Sequence, residues 1–248
     1  MSHNLILQKG AILIADAHYS DKYPQFYSFL QAIESGTIQT TQLILMGDMF
    51  ELLFGVIKGT KKDNEKEISL LNKIADKIEV IYFEGNHDFG LKSIFPSIKV
   101  FPLEVQPQTA VFGSQKVLLS HGDTKTPLGY QIYTKLIRNP FILSLIGSID
   151  ILCGHCIIKG LKSRGVQKDP CYKIPLFKEI IHRRLNYLKD EALDIVIEGH
   201  FHQNLSFNLY GFEYMNLASF ACNQKYFIVQ SIKEQLHLQE IVFSEKTN

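Results

Sequence analysis

Five short apolar runs in this 248-residue chain end in side chains that bind metals or move protons. Ala11-Ile12-Leu13-Ile14-Ala15 leads into Asp16 and His18, and Gln42-Leu43-Ile44-Leu45-Met46 into Gly47-Asp48. Residues 78–83 deliver Glu84-Gly85-Asn86-His87-Asp88, residues 116–120 deliver His121-Gly122-Asp123, and residues 194–197 deliver Glu198-Gly199-His200-Phe201-His202. A single His beside a strand is ordinarily structural, and a single Asp at a strand end is ordinarily a turn or helix cap. Five strand ends polar in the same way have no comparable structural explanation. Asp16, His18, Asp48, Asn86, His121, His200 and His202 offer N and O ligands without thiolate, a set that suits divalent transition ions. Seven candidate ligands exceed what one ion can use if water must also bind, so two ions sharing one carboxylate fit better. Such pairs sit roughly 3.5–4 Å apart, activate a shared water and clamp the oxygens of an in-line displacement. That is phosphoester chemistry.

The five runs read as buried strands. Between them, residues 24–35 carry Phe26, Phe29, Leu30 and Ile33 at helical spacing before Gly36, and residues 63–77 place Ile68, Leu71 and Ile74 on one helical face, with Ile78 just beyond. Alternating strands and helices predict an α/β fold with a largely parallel core. The carboxyl edge of such a sheet is where ligands bind. After residue 202, four short segments (205–210, 214–217, 226–230 and 236–243) predict an antiparallel β tail. The roughly seventy residues between the fourth and fifth runs are helically patterned and far longer than an ordinary connection. They predict a functional insertion, a helical lid over residues 124–190 of a single domain spanning 1–248.

Composition narrows the partners. The net charge of +1 argues against a generally basic nucleic-acid binder. Residues 124–193 hold twelve Lys/Arg and five Asp/Glu (+7), leaving 14 minus 20, or −6, for the remainder. A basic segment beside an acidic body suits an anionic substrate or surface. No secretory signal is evident, because the first apolar run leads straight into Asp16 and His18. The best membrane candidate, residues 141–158, is interrupted by Asp150, His155 and two glycines. Four cysteines in a chain this long predict no disulfide framework, and a cytoplasmic enzyme is expected. Cys153-Gly154-His155-Cys156 copies the disulfide-isomerase motif, but inside the insertion and without its aromatic lead-in. It reads as coincidence; a zinc site with Cys171 lacks an obvious fourth ligand.

The blocks Asp-x-His, Gly-Asp, Gly-Asn-His-Asp, His-Gly-Asp and Gly-His-x-His, in this order over about residues 11–202, resemble the calcineurin-like metallophosphoesterases. The resemblance implies a metallophosphatase β-sandwich of two mixed sheets flanked by helices. It also implies that one ion takes Asp16, His18, Asp48 and His202, and the other Asp48, Asn86, His121 and His200. Mn²⁺ is the expected metal. His87 would sit over the phosphate and protonate the leaving oxygen, with Asp88 orienting it.

A narrower resemblance, to the UDP-2,3-diacylglucosamine pyrophosphohydrolases of lipid A biosynthesis, rests on Gly47-Asp48-Met49-Phe50-Glu51, Asp88-Phe89, Tyr130-Gln131 and Arg138-Asn139-Pro140. It implies water attack on the α-phosphate of a nucleotide-linked glycolipid, giving UMP and lipid X, by a peripheral enzyme of the inner membrane surface. The insertion would supply an acyl groove or bilayer contact through Phe141, Ile142, Leu143, Leu145, Ile146, Ile149, Ile151 and Leu152. Asn86, His87, Arg138, Lys162 and Arg164 are the expected substrate or surface contacts. The chain departs from that family in three places. His87 stands where Arg is usual, matching general phosphoesterases; Lys125-Thr126 replaces a Leu-Cys pair; and Gln203-Asn204 follows the last block. The alternatives are a phosphodiesterase or nucleotide pyrophosphatase with a soluble substrate, and a metal-free binding scaffold, which the full ligand set opposes.

Overall fold

A computed structural model describes residues 5–124, 128–166 and 169–244. In chain order the strands are β1 (Leu5–Ile6), β2 (Ile12–Ile14), β3 (Gln42–Leu45), β4 (Leu53–Phe54), β5 (Glu79–Phe83), β6 (Asp88–Phe89), β7 (Lys99–Phe101), β8 (Gln108–Phe112), β9 (Gln115–Ser120), β10 (Ile195–Glu198), β11 (Leu205–Leu209), β12 (Phe212–Asn216), β13 (Lys225–Ile232) and β14 (Gln235–Val242). The helices are α1 (Gln25–Glu34), α2 (Lys58–Asp63), α3 (Glu65–Ala75), α4 (Leu128–Arg138), α5 (Pro140–Leu152), α6 (Cys156–Val166), α7 (Phe177–Arg184) and α8 (Phe220–Asn223).

Two six-stranded mixed sheets form, ordered β1-β8-β9-β10-β12-β11 and β14-β13-β2-β3-β5-β7. The central strands are apolar on both faces because each face meets a different core. Leu13, Ile44, Ile81, Phe83, Val117, Leu119, Ile195 and Ile197 interlock between the sheets. Their alternates Ile12, Ile14, Leu43, Leu45, Val80 and Tyr82 pack outward against α1 and α3 through Phe26, Phe29, Leu71 and Ile74. On the other sheet Leu118 and Val196 pack outward against Phe177 and Ile181 of α7. Each such fully buried apolar side chain contributes about 1.5–3 kcal/mol.

The insertion does not act as one body. Helices α4–α6 lie over the two-stranded β4-β6 ribbon, where Leu143 and Ile158 bury against Leu52, Phe54, Ile57 and Phe89. Helix α7, with the following Leu185 and Leu188, is instead an outer layer of the sandwich. Its Phe177, Ile181 and Leu185 recur every fourth residue and so share one face. The expected antiparallel tail likewise splits. Hairpin β11-β12 joins the first sheet, with β12 parallel to β10, while β13-β14 joins the second beside β2.

The cysteines also depart from expectation, since all four pair: Cys153 with Cys156, and Cys171 with Cys222. The second pair is 51 residues apart in sequence, and only the folded chain brings its Cα atoms to 5.2 Å. Among the described residues no single helix is long and apolar enough to cross a membrane. The pair Pro140–Leu152 and Cys156–Ser163 reaches that length only with a 99° bend.

Candidate metal centre and the cavity beside it

Parallel register brings the strand ends level. Ile14 pairs with Leu45, Leu45 with Tyr82, and Ser120 with Glu198. Asp16, Asp48, Asn86, His121 and His200 follow directly, so strands from both sheets deliver them to one edge. Asp16, His18 and His202 form one cluster, and Asp48, His121 and His200 another; within each, the potential ligand atoms all lie within 4.8 Å of one another. Glycines allow the close approach: a Cβ on Gly47 would run into the His121 ring, and one on Gly85 into Asp48. Five of the seven candidate ligands (Asp16, His18, Asp48, His200 and His202) have φ between 42° and 64°. Such left-handed backbone is costly for residues other than glycine and clusters at functional sites.

Backbone carbonyls aim the rings. His121 Nδ1 lies 2.8 Å from Met46 O, and His202 Nδ1 lies 2.9 Å from Pro170 O. A carbonyl can only accept, so both rings carry a proton on Nδ1 and turn Nε2 inward, 3.4 Å from Asp48 Oδ2 and 3.2 Å from Asp16 Oδ1. Among the described residues the buried Asn86 Oδ1 at this spot has no hydrogen-bond partner, and His18 Nδ1 and His121 Nε2 meet only carboxylate oxygens, at 3.3 and 3.4 Å. Buried orphans of this kind need an explanation, and a divalent ion provides one. The donors fit.

The charges fit as well. Burial favours the neutral form of Asp16, but neighbouring His202 outweighs it and holds the carboxyl below its usual range. Asp48 behaves likewise, held well below that range by His121 and His87 against the effect of burial. Burial and the adjacent His121 push His200 down to about 4, leaving it a neutral ligand at physiological pH. His121 and His202 are raised against the effect of burial, by Asp48 and Asp16 respectively.

His87 is at this site, but Asp88 does not orient it. The buried Asp88 carboxylate accepts from the backbone N–H groups of Asp48 (3.0 Å), Met49 (2.6 Å), Phe50 (3.3 Å) and Gly85 (3.0 Å), and from the Tyr82 hydroxyl (2.6 Å). Five donors around two oxygens make Asp88 a clamp on the Asp48 loop. Among the described residues none of its hydrogen bonds reaches the His87 ring. The His87 side chain turns the other way, with Nδ1 2.9 Å from Glu51 O and 3.8 Å from Glu51 Oε1. The other carboxylate oxygen of Glu51 stands 3.3 Å from His18 Nδ1. Glu51 thus joins the candidate acid to a candidate ligand. Sequence reasoning met it only as the end of Gly47-Asp48-Met49-Phe50-Glu51.

The expected substrate contacts separate. Arg138 is held at the β5 end, donating to Gly85 O at 2.7 Å with Glu84 3.4 Å away and the Phe89 ring beneath it. Its Nε is buried and, among the described residues, has no hydrogen-bond partner. Lys162 faces away and pairs with Asp63 of α2 at 2.7 Å on the surface. The Arg164 side chain and residues Lys125 and Thr126 lie outside the described ones. Asn86, His87 and Arg138 border a second cavity of about 440 Å³, otherwise lined mainly by apolar side chains including Leu52, Phe54, Phe89, Leu143, Ile146 and Ile158. Asn86 and His87 line the polar pocket too, so the two spaces meet there.

This fold and site define a calcineurin-like phosphoesterase. The chain belongs to that family, whose model matches residues 11–204, and it is a metal-dependent hydrolase of that class. Among curated proteins it is similar to the UDP-2,3-diacylglucosamine hydrolase of Coxiella burnetii, 25% identical over 79% of this chain and 81% of the relative. The enzyme of the same name from Psychromonas ingrahamii is 29% identical over 76% of each chain. That of Pseudomonas putida is 27% identical over 62% of this chain and 65% of the relative.

Proposed function

We propose that this protein hydrolyses the pyrophosphate of UDP-2,3-diacylglucosamine, releasing UMP and lipid X, at the cytoplasmic face of the inner membrane. The observation that carries the reading is the junction at Asn86 and His87, where a polar ligand cluster opens into an apolar cavity of ligand size. A substrate with a diphosphate at one end and acyl chains at the other matches that junction. The similarity to relatives named for this activity agrees.

Asp16, His18, Asp48 and His202 would hold one ion, and Asp48, Asn86, His121 and His200 the other. Bound divalent ions, Mn²⁺ in this proposal, supply the Lewis acidity for water attack on the phosphorus. The chain's own residues do the rest. His87 Nδ1–H is committed to Glu51 O, so the leaving oxygen takes its proton from Nε2. Arg138 offers a guanidinium edge to the phosphate or sugar, its Nε having no partner among the described residues, while the cavity under α5 and α6 takes acyl carbons and excludes water. Helices α4–α6 act as the lid. The outer face of α5 exposes Phe141, Leu145, Ile149 and Leu152, with Phe141 83% exposed, and suits the membrane from which the lipid comes.

The test offers Mn²⁺-loaded enzyme both UDP-diacylglucosamine and an aryl phosphodiester. UMP and lipid X released with the diester barely touched is expected. The reverse preference would overturn the lipid reading in favour of a soluble phosphodiester or nucleotide pyrophosphate.

A further inference from the structure

The Cys171–Cys222 disulfide joins the supports of two residues in one ligand cluster, the His202 ring and the Asp16 backbone. On one side, Pro170 O holds the His202 ring at Nδ1, and Asp169 and Pro170 line the polar pocket. Neighbouring residues copy the same path. Lys173 Nζ donates to Gln203 O at 2.8 Å, Ile174 N to Gln203 Oε1 at 2.9 Å, and Gln203 Nε2 to Tyr172 O at 3.0 Å. On the other side, Cys222 lies in α8, and α8 with its lead-in holds the Asp16 carbonyl: Ser219 Oγ donates to Asp16 O at 2.8 Å and Ala221 N at 3.2 Å. The hydrogen bonds of segment 170–174 named above run to residues 202–203. The disulfide is its covalent link to the segment behind Asp16. Cys171 is exposed and Cys222 half-buried, so the bond is open to attack from solvent.

We propose that Cys171–Cys222 is a redox-sensitive positioning clamp for the Asp16/His18/His202 half of the metal centre. Its oxidised form tightens that half for a divalent ion, and its dithiol form loosens it. The reaction is a two-electron exchange with a cellular dithiol. The reductant's thiolate attacks Sγ of Cys171, and Cys222 leaves as a thiolate and takes up a proton. The reductant's second thiol then displaces Cys171, which also gains a proton, and the reductant departs as a disulfide. In a reducing compartment the pair rests as dithiols, the setting in which disulfides that do form act as sensors. Cys153–Cys156 lies at the α5–α6 elbow and takes no part.

This inference rests on the two-metal reading, and the experiment separates the two. A Cys153→Ser/Cys156→Ser variant keeps only the clamp cysteines. It is oxidised, or reduced with dithiothreitol and desalted under argon, and each form is titrated with Mn²⁺ alone by calorimetry, with thiol counts and circular dichroism alongside. The oxidised form is expected to bind two ions. In the reduced form one ion keeps its affinity and the other weakens about 10- to 100-fold, the range for lost ligand support. Adding Cys171→Ser/Cys222→Ser should copy the reduced form whatever the redox state. Equal affinities in both forms would overturn the clamp. So would loss of both ions together with the folded dichroism signal, since the bond would then be a general staple. Fewer than about one ion on the oxidised form would sink the two-metal reading and the clamp with it.

Discussion

His87 Nδ1 stands 2.9 Å from the carbonyl oxygen of Glu51, and that contact decides which nitrogen can do chemistry. With Nδ1–H donated to a carbonyl, only Nε2 is free to give a proton. In the His87→Ala variant, turnover should fall about 10²- to 10⁴-fold, the usual loss for a general acid. Both metal ions should stay, because the atom that touches Asp48 is the His87 backbone N–H, at 2.8 Å. Metal analysis beside steady-state kinetics checks this, and full activity in the variant would end the assignment.

Asp88 and Glu51 should then fail in different ways. Asp88→Asn sets an amide NH₂ against backbone N–H donors that now meet a carboxylate oxygen. It should cost about 1–3 kcal/mol in urea unfolding and weaken metal binding. Glu51→Gln keeps the backbone carbonyl beneath His87, so stability should change little while turnover drops. If Asp88→Asn proved as stable as the parent and lost only turnover, Asp88 would regain the orienting role that its sequence position suggests.

The strand-end pattern was legible because it depends on residue type alone. Runs such as residues 42–46 and 78–83 are apolar on both faces, since each alternate residue meets its own core, and their polar ends stand out against that background. The supports were not legible. Pro170 and Met46 act through carbonyl oxygens, which every residue possesses. The misplaced role of Asp88 has a similar cause. His87 sits in a bend and Asp88 opens the short strand β6 after it, so the backbone turns between them and neighbourhood in sequence does not bring the two side chains together. The split of the insertion, and the meeting of Cys171 with Cys222, depend on tertiary packing that no local spacing records.

Loading the site should release protons, with a sign fixed by the raised histidines. His121 and His202 hold their protons above the usual imidazole range because Asp48 and Asp16 favour the cations. An ion must displace those protons, whereas His200, at about 4, gives none up above pH 5. Apparent Mn²⁺ affinity should therefore rise with pH from 6 towards 9. Calorimetry at pH 7 in buffers of different ionisation enthalpy should show net proton release, and buffer-independent heats would contradict it.

The apolar cavity gives the sharpest test of substrate class. Ile146 lines it from α5, on a helix whose opposite face is in solvent, so a polar replacement there should leave the sandwich folded. Ile146→Asp puts a charge where acyl carbons are proposed to lie, and an uncompensated charge among apolar groups costs several kcal/mol. Activity on UDP-diacylglucosamine should fall at least about tenfold, mostly through KM, while hydrolysis of a small aryl phosphodiester at the same metal centre stays near the parent's rate. A parallel loss on both substrates would place the damage in the metal centre instead. Unchanged lipid hydrolysis would mean that the acyl chains lie elsewhere, and the cavity under α5 and α6 would lose its proposed occupant.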